Sequence, residues 1–413
     1  MTQDDGKAGS RLPGHFSSGA ARWLTGSCCA LAAWLLLAPG AQAGTLTESD
    51  RPDCDYAFRG EIVPGDAALL DRIPPSYDGF ILCMDSPGGS VGEAMEMFRE
   101  IAGRNILTRV PNGWRCESSC ATVFMAGSVQ TGVGVPVTYR GNQLEPGGIL
   151  GFHAPSLLPS GGGSFSAEQV AAGFDVAIRA AALYYRASLQ EEDEWRSFNE
   201  YLYARILETP SDDMYRIDRI ADAVLADIHL GVVTMPAEIT EAHVVNLCDS
   251  AWLTQAPLQA RLPEGDALDA YARLRHEPVY GESVEGEEKP WEAEYRGVTL
   301  ERDGDRVIGY VTGYALRWRG SGPQGFACRT EFLVPDPSGY PRLNESEEGW
   351  VTEWYRDRNV AFYEYTIMSL DDADQQDWHL PMDPDRIASN VSAPLWMLHA
   401  PDTRLDSLVP QQR

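Results

Sequence analysis

The 413-residue chain reads as an α/β protein with a mostly parallel sheet, followed by a smaller β-rich domain. Three observations predict this. Residues 60–155 alternate short apolar runs with segments of helical periodicity, the pattern of βαβ units. The run that leads into Asp85, Gly-Phe-Ile-Leu-Cys-Met, is nearly continuous in apolar residues, as a parallel strand buried on both faces requires. Beyond about residue 290, alternating segments are punctuated by turn residues at Asp303-Gly304 and Gly320–Pro323, which predicts antiparallel strands.

The N-terminus reads as an export signal. Arg22 precedes an apolar run from Trp23 to Leu37, Pro39-Gly40 ends it, and Ala41-Gln42-Ala43 offers a small-residue cleavage site before Gly44. The run is roughly fifteen residues, short of the roughly twenty that span a bilayer. An uncleaved anchor is the alternative. No later segment is long and apolar enough to span, so no membrane span is expected after cleavage. The style of the signal points to a bacterial export pathway and hence the periplasm.

The mature elements follow in order. A strand is predicted at Gly79–Asp85, then a Pro-Gly-Gly turn. Val91, Met95, Phe98 and Ile101/Ala102 recur at helical spacing, giving an amphipathic helix over 91–103. A strand follows at Ile106–Val110, then a buried helix over 118–127 closed by Gly127. Val135–Tyr139 and Ile149–His153 read as strands around a Gly-rich turn at 141–148. The Gly/Ser stretch 159–164 is a loop by composition. Ser166 with Gln169 three residues on forms a capping box for a helix reaching about Leu189. A second helix runs from Glu191 to Leu207, Pro210 opens a shorter one, and Gly231–Thr234 returns to strand. The acidic stretch 282–288 reads as a solvated linker. Strands are then predicted at Gly297–Leu300, Arg306–Trp318, Phe326–Val334, Thr352–Tyr355 and Ala361–Thr366. The implied layout is a signal at 1–43, an α/β domain at 50–250, a helical connection at 251–289 and a β-rich domain at 290–413.

Charge excludes some partners. The formal net charge is −28, and the first 43 residues carry +1 (Lys7, Arg11 and Arg22 against Asp4 and Asp5), so the remainder carries −29. A surface that acidic argues against nucleic acid or anionic lipid as partner. Loss of the signal leaves six cysteines, Cys54, Cys83, Cys116, Cys120, Cys248 and Cys328, which an oxidising compartment allows to pair in fifteen ways. No CxxC or HxxxH pattern accompanies them, so no metal site is implied. The alternative for Cys83 is a plain buried strand residue.

Three segments carry the chemistry: Asp85-Ser86-Pro87-Gly88-Gly89-Ser90-Val91, Cys116-Glu117-Ser118-Ser119-Cys120 and Gly151-Phe152-His153-Ala154-Pro155. An enzyme that attacks a carbonyl must hold the oxyanion that forms, and preorganised backbone N–H groups do so most simply. Gly88-Gly89, between a buried strand and a helix start, supply such groups, or only a tight turn. Ser118 at a helix start is a candidate nucleophile, with the Ser119 N–H as a further oxyanion donor; the alternative is that either serine merely caps the helix. His153 is the candidate general base, or a structural histidine. Their joint order favours acyl-transfer chemistry. No Walker-type glycine motif is present, and no cofactor, nucleotide or metal is implied. Seven tryptophans lie after residue 250, as core or as a peptide or glycan groove.

The run from about Gly60 to Pro155 resembles the Clp protease proteolytic subunit, in the wider group with signal peptide peptidase A and the crotonases. Ser86-Pro87-Gly88-Gly89 match that family's glycine turn. Ser118, eight residues before Ala126-Gly127, matches its nucleophilic serine, and Gly151-Phe152-His153-Ala154-Pro155 matches its histidine strand. The resemblance covers about residues 60–250. It implies a Clp/crotonase-like repeated ββα spiral and a serine peptidase or related acyl hydrolase with Ser118 and His153 catalytic. It implies Gly88, Gly89 and Ser119 as the oxyanion hole and a peptide or unfolded polypeptide as substrate. The third acid falls near Pro210, leaving Glu208, Asp212 and Asp213, of which Asp213 aligns best. The sequence departs from the family in the cysteines flanking Ser118, where a local disulfide is an option, and in a longer interval between serine and histidine, placed at 141–148. The resemblance also implies a homo-oligomer, for which Val170, Ala171, Phe174, Ile178, Ala181, Ala182 and Tyr185 supply an apolar stripe at helical spacing; the alternative is that the stripe packs wholly within the chain. The competing reading is a catalytically silent scaffold that binds exported polypeptides.

Overall fold

Two sheets meet at the serine–histidine region. In the computed structural model the described residues are 43–76, 79–102, 104–131, 137–155, 165–188, 198–234, 236–255, 265–276, 297–303, 306–316, 324–333, 363–369 and 395–410. The predicted signal before residue 43, the Gly/Ser loop, the acidic stretch 282–288 and the strand at Thr352–Tyr355 lie outside them.

The chain opens with an antiparallel pair, β1 (Thr45–Glu48) and β2 (Tyr56–Arg59), followed by β3 (Phe80–Asp85). Helix α1 (Val91–Ile101) starts at Ser90, whose Oγ accepts from the Glu93 N–H at 3.3 Å. It buries Ala94, Met95, Met97, Phe98 and Ile101, the face the periodicity marks. Complete burial of Met97 and Ile101 contributes about 2 kcal/mol each. Next come β4 (Ile106–Val110), β5 (Arg115–Glu117) and α2 (Ser119–Phe124), every residue of which is buried. β6 (Ser128–Thr131) and β7 (Val137–Arg140) form a separate hairpin.

The predicted Gly-rich turn at 141–148 contains instead a strand, β8 (Asn142–Leu144). It pairs in parallel with β4 and buries Asn142 and Leu144, because its backbone groups find acceptors and donors along Thr108–Val110. β9 (Ile149–Phe152) follows. α3 (Ala167–Ser188) begins with the predicted capping box, made in both directions: the Gln169 N–H donates to Ser166 Oγ at 3.2 Å and the Ser166 N–H to Gln169 Oε1 at 2.9 Å. α4 (Glu200–Glu208) is capped by Asn199 Oδ1.

The helix predicted from Pro210 is absent. That segment is a turn leading to β10 (Tyr215–Arg216), and the helix, α5 (Ile220–Ala226), starts ten residues later. The Asp222 carboxylate accepts the Arg219 N–H at 2.9 Å, and the Ile220 and Ala221 N–H groups donate to Thr403 and Pro401. The start is therefore set by partners remote in sequence. The strand predicted at Gly231–Thr234 lies two residues earlier, as β11 (His229–Leu230).

The main sheet runs β1-β2-β3-β4-β8-β11, parallel except at its β1–β2 edge, and a second sheet runs β10-β9-β5. The fold is a mixed α/β structure with a parallel-rich central sheet. α6 (Glu241–Gln255) crosses residue 250 unbroken, and α7 (Ala267–His276) follows. β12 (Gly297–Asp303), β13 (Arg306–Leu316), β14 (Gln324–Leu333) and β15 (Tyr363–Ser369) form an antiparallel meander, as the sequence predicts. α6 packs on β12 and β13, with Val244 against the backbone of Gly309. The final described segment returns to the α/β part: Trp396, Leu398, Leu405 and Leu408 join its core, and the Thr234 N–H donates to Leu408 O. Trp396 is thus a core residue. No helix among the described residues is long and apolar enough to cross a membrane.

Among the described residues Cys54 is bonded to Cys83, with Cα atoms 5.7 Å apart, and Cys116 to Cys120 at 5.1 Å, and Cys248 is disulfide-bonded too. These bonds fit an oxidising compartment.

Candidate active site

The site is built where β3, β5 and β9 end side by side. The Ser86 N–H donates to Arg115 O at 2.7 Å and the Glu117 N–H to Ser86 O at 3.1 Å, which joins the glycine turn to the start of the serine segment. On its other side β5 pairs in parallel with β9, Cys116 opposite Leu150 and Glu117 opposite Gly151. The next residue, Ser118, donates its N–H to Gly151 O at 2.9 Å. His153 lies two residues beyond Gly151, so serine and histidine leave adjacent strands at the same end.

Ser118 has φ 58° and ψ −128°, a conformation that costs a non-glycine residue about 1–3 kcal/mol. It makes no side-chain capping bond. The helix-cap alternative therefore has no hydrogen bond behind it. A sharp strand-to-helix turn of this kind lifts a serine hydroxyl clear of the sheet. The two serines divide clearly. Ser118 is partly exposed, whereas Ser119 is buried, with an Oγ that meets no hydrogen-bond partner.

The glycine turn packs directly on this serine. Gly88 and Gly89 have φ of 94° and 144°, and a Cβ on Gly89 would strike the backbone of Ile62. The Gly88 N–H is already engaged, donating to Ser86 Oγ at 3.1 Å. The Gly88 N–H, one of the expected oxyanion donors, is thus directed within the turn. Gly88 O and the Ser90 N–H are both taken by Ile62, which leaves the intervening Gly89 N–H on the other side of the strand. The Ser119 N–H, first in α2, has no intrahelical acceptor. The Gly89 N–H is thus not taken by Ile62, and the Ser119 N–H is not taken within α2.

The His153 ring places Nδ1 2.8 Å from Ala154 O. A carbonyl only accepts, so the hydrogen sits on Nδ1 and the neutral ring keeps its lone pair on Nε2. The three expected acids do not reach this ring. Glu208 is exposed and paired with Arg205 at 3.1 Å, Asp212 is exposed, and exposed Asp213 accepts the Met214 N–H at 2.7 Å. Their segment does run past the histidine: the Ala154 N–H donates to Thr209 O, and β10 pairs with β9.

Two further groups carry no sequence signal. Glu117, immediately before Ser118, pairs with Arg216 at 3.1 Å and Arg115 at 3.9 Å. Gly151 lies between Glu117 and Arg216 in the register, and the absence of a side chain there lets the pair close across β9. Asp222, which anchors α5, is buried, and burial raises its carboxyl to about 6 against the bonds from Arg219, Asp218 and Tyr215.

Neither a family model nor a curated protein matches the chain. Among solved structures, a membrane-bound stomatin-specific protease is similar at 15% identity and a TM-score of 0.29, over 42% of this chain and 76% of that one.

Proposed function

We propose that this chain is an exported, periplasmic serine peptidase or related acyl hydrolase. The observation that carries the reading is the uncapped, left-handed Ser118 at a strand-to-helix elbow, packed against Gly88 and one strand away from His153. In this reading Ser118 Oγ attacks the substrate carbonyl while His153 Nε2 takes its proton. The Gly89 and Ser119 N–H groups hold the developing oxyanion, a role in which one donor is typically worth about 3 kcal/mol of barrier. The imidazolium then protonates the leaving group, and water activated by the same ring releases the acyl group. The Ala154 carbonyl orients the ring through Nδ1–H, the position that a carboxylate fills in the usual triad. The substrate class we infer is a peptide or an already unfolded polypeptide.

The absence of a carboxylate on His153 among the described residues favours a second reading, a catalytically silent scaffold for exported polypeptides. Labelling with a fluorophosphonate probe separates the two. The hydrolase reading expects the folded wild type to label and Ser118→Ala to stay unlabelled. Equal labelling of both, or none of either, sinks it.

A further inference from the structure

Ser118 sits in a backbone conformation that persists only if its surroundings over-determine it, and the chain carries a covalent link across this very residue. Cys116 is the middle residue of β5, held by Leu150 of β9 on one side and by a bridge to Ser86 on the other. Cys120 is the second residue of α2. Their disulfide therefore ties a point fixed in the sheet to the first turn of the helix and spans Glu117, Ser118 and Ser119. Four residues apart within one helix such a link is hard to close. It closes here because the chain reverses at Ser118, bringing the two Cα atoms to 5.1 Å. The remaining restraints on the elbow are few: the Ser118 N–H on Gly151 O, the Ala121 N–H on Ser118 O, and the packing of Gly88. Both sulfur-bearing residues are fully buried, so the clamp is part of the core that the elbow rests on.

We propose that the Cys116–Cys120 disulfide is a redox-dependent clamp that holds Ser118 and the Ser119 N–H in register, so that the site is competent only when the pair is oxidised. The two cysteines are positioning residues. The proposal rests on the hydrolase reading for its consequence: the chain is silent while its cysteines are reduced and becomes active on reaching an oxidising compartment. The switching step is thiol–disulfide exchange. On activation one thiolate of the pair attacks a disulfide oxidant to give a mixed disulfide, the second thiolate displaces the oxidant's sulfur, two protons are released and the oxidant leaves as its dithiol; an added dithiol reverses the step and leaves as its own disulfide.

The test compares oxidised wild type, dithiothreitol-reduced wild type and the double variant Cys116→Ser/Cys120→Ser, with Cys54→Ser/Cys83→Ser as a control for loss of a disulfide elsewhere. Two readouts are taken on each folded protein: the rate of Ser118-dependent fluorophosphonate labelling, and hydrogen exchange of the segment 115–125. Opening the clamp is expected to slow labelling about 100-fold and to raise exchange in 115–125, with reoxidation restoring the wild type. The control variant keeps the wild-type labelling rate and the wild-type exchange in that segment. Labelling of the Cys116/Cys120 variant at the wild-type rate, or unchanged exchange in 115–125, overturns the clamp. If exchange responds but oxidised wild type shows no Ser118-dependent labelling, the hydrolase reading falls and the clamp stands.

Discussion

Gly88 lies against Ser118 so closely that a Cβ on the glycine would stand 2.7 Å from the Ser118 Cβ and 3.0 Å from the Ser119 nitrogen. The first is closer than Cβ atoms come, the second would force the Ser119 nitrogen to give way, and the Gly88 φ of 94° already disfavours any side chain. Gly88→Ala is therefore expected to displace the elbow. Fluorophosphonate labelling should fall about 100-fold, with a stability loss of about 1–3 kcal/mol. Labelling at the wild-type rate in a folded Gly88→Ala protein contradicts this packing argument.

The histidine's orienter gives a second prediction. Because His153 Nδ1–H is held by the Ala154 carbonyl, removing the neighbouring acids should change little. Asp213→Asn, Asp212→Asn and Glu208→Gln are each expected to label within about twofold of wild type, whereas His153→Ala should fall by about 100-fold or more. A large loss in one acid variant alone would identify that residue as a triad member.

Asp222 makes stability depend on pH. Its folded carboxyl titrates near 6, above the ordinary aspartate value, so the native state holds the proton more tightly than the unfolded chain. The stabilisation is complete below about pH 4 and is lost as pH rises through about 6, a change of about 2–3 kcal/mol. Urea unfolding of wild type and Asp222→Asn at pH 4 and pH 8 checks it. The variant should gain on the wild type by that amount at the higher pH.

Arg109 illustrates a buried charge with its partners. Its side chain is 7% exposed, Nη1 donates to Asp53 O at 2.7 Å, and the Asp53 and Glu145 carboxylates stand 3.8 and 4.0 Å away. Burial, the largest cause, pushes the Glu145 carboxyl up, and Asp53 beside it adds to that. Arg109→Met leaves the two acids with Arg51 alone, which pairs with Asp53 at 2.8 Å and stands 3.8 Å from Glu145. The expected cost is about 1–3 kcal/mol, the loss of a charge-assisted hydrogen bond, read as a lower denaturant midpoint, and an unchanged midpoint would refute the pairing.

The exposed face of α3 bears on self-association. Phe174 is 66% exposed on α3, with Val170, Ile178 and Tyr185 also exposed, while Ala180 and Tyr184 pack inward. A second copy offers the same stripe and so a self-complementary contact. Light scattering is expected to show an oligomer for wild type and a monomer for Phe174→Glu/Ile178→Glu. A wild-type monomer at micromolar concentration defeats it.

Much of this was legible in local pattern. The period in Val91–Ala102 marked the buried face of α1, Ser166 with Gln169 marked the start of α3, and the turn signal after Leu300 marked where β12 gives way to its antiparallel partner β13, because each depends on residues within one or two turns of chain. The start of α5 was not legible. Pro210 is a sound local signal, yet the helix begins where Thr403, Pro401 and the Asp222 carboxylate meet the N–H groups of residues 219–221. β8 was hidden for the same reason, since three residues become a strand only when β4 offers its edge.

The sequence by itself determined which residues carry reactive groups and the order in which glycine turn, serine and histidine arrive, because motif spacing is a property of the chain. Only the tertiary structure decided that the Gly88 N–H turns back on Ser86, that Ala154 O meets the His153 ring, and that Cys116 and Cys120 close across Ser118. Each of these depends on which strands pair and in what register. Register is set by burial of whole faces, a sum over contacts between segments far apart in sequence.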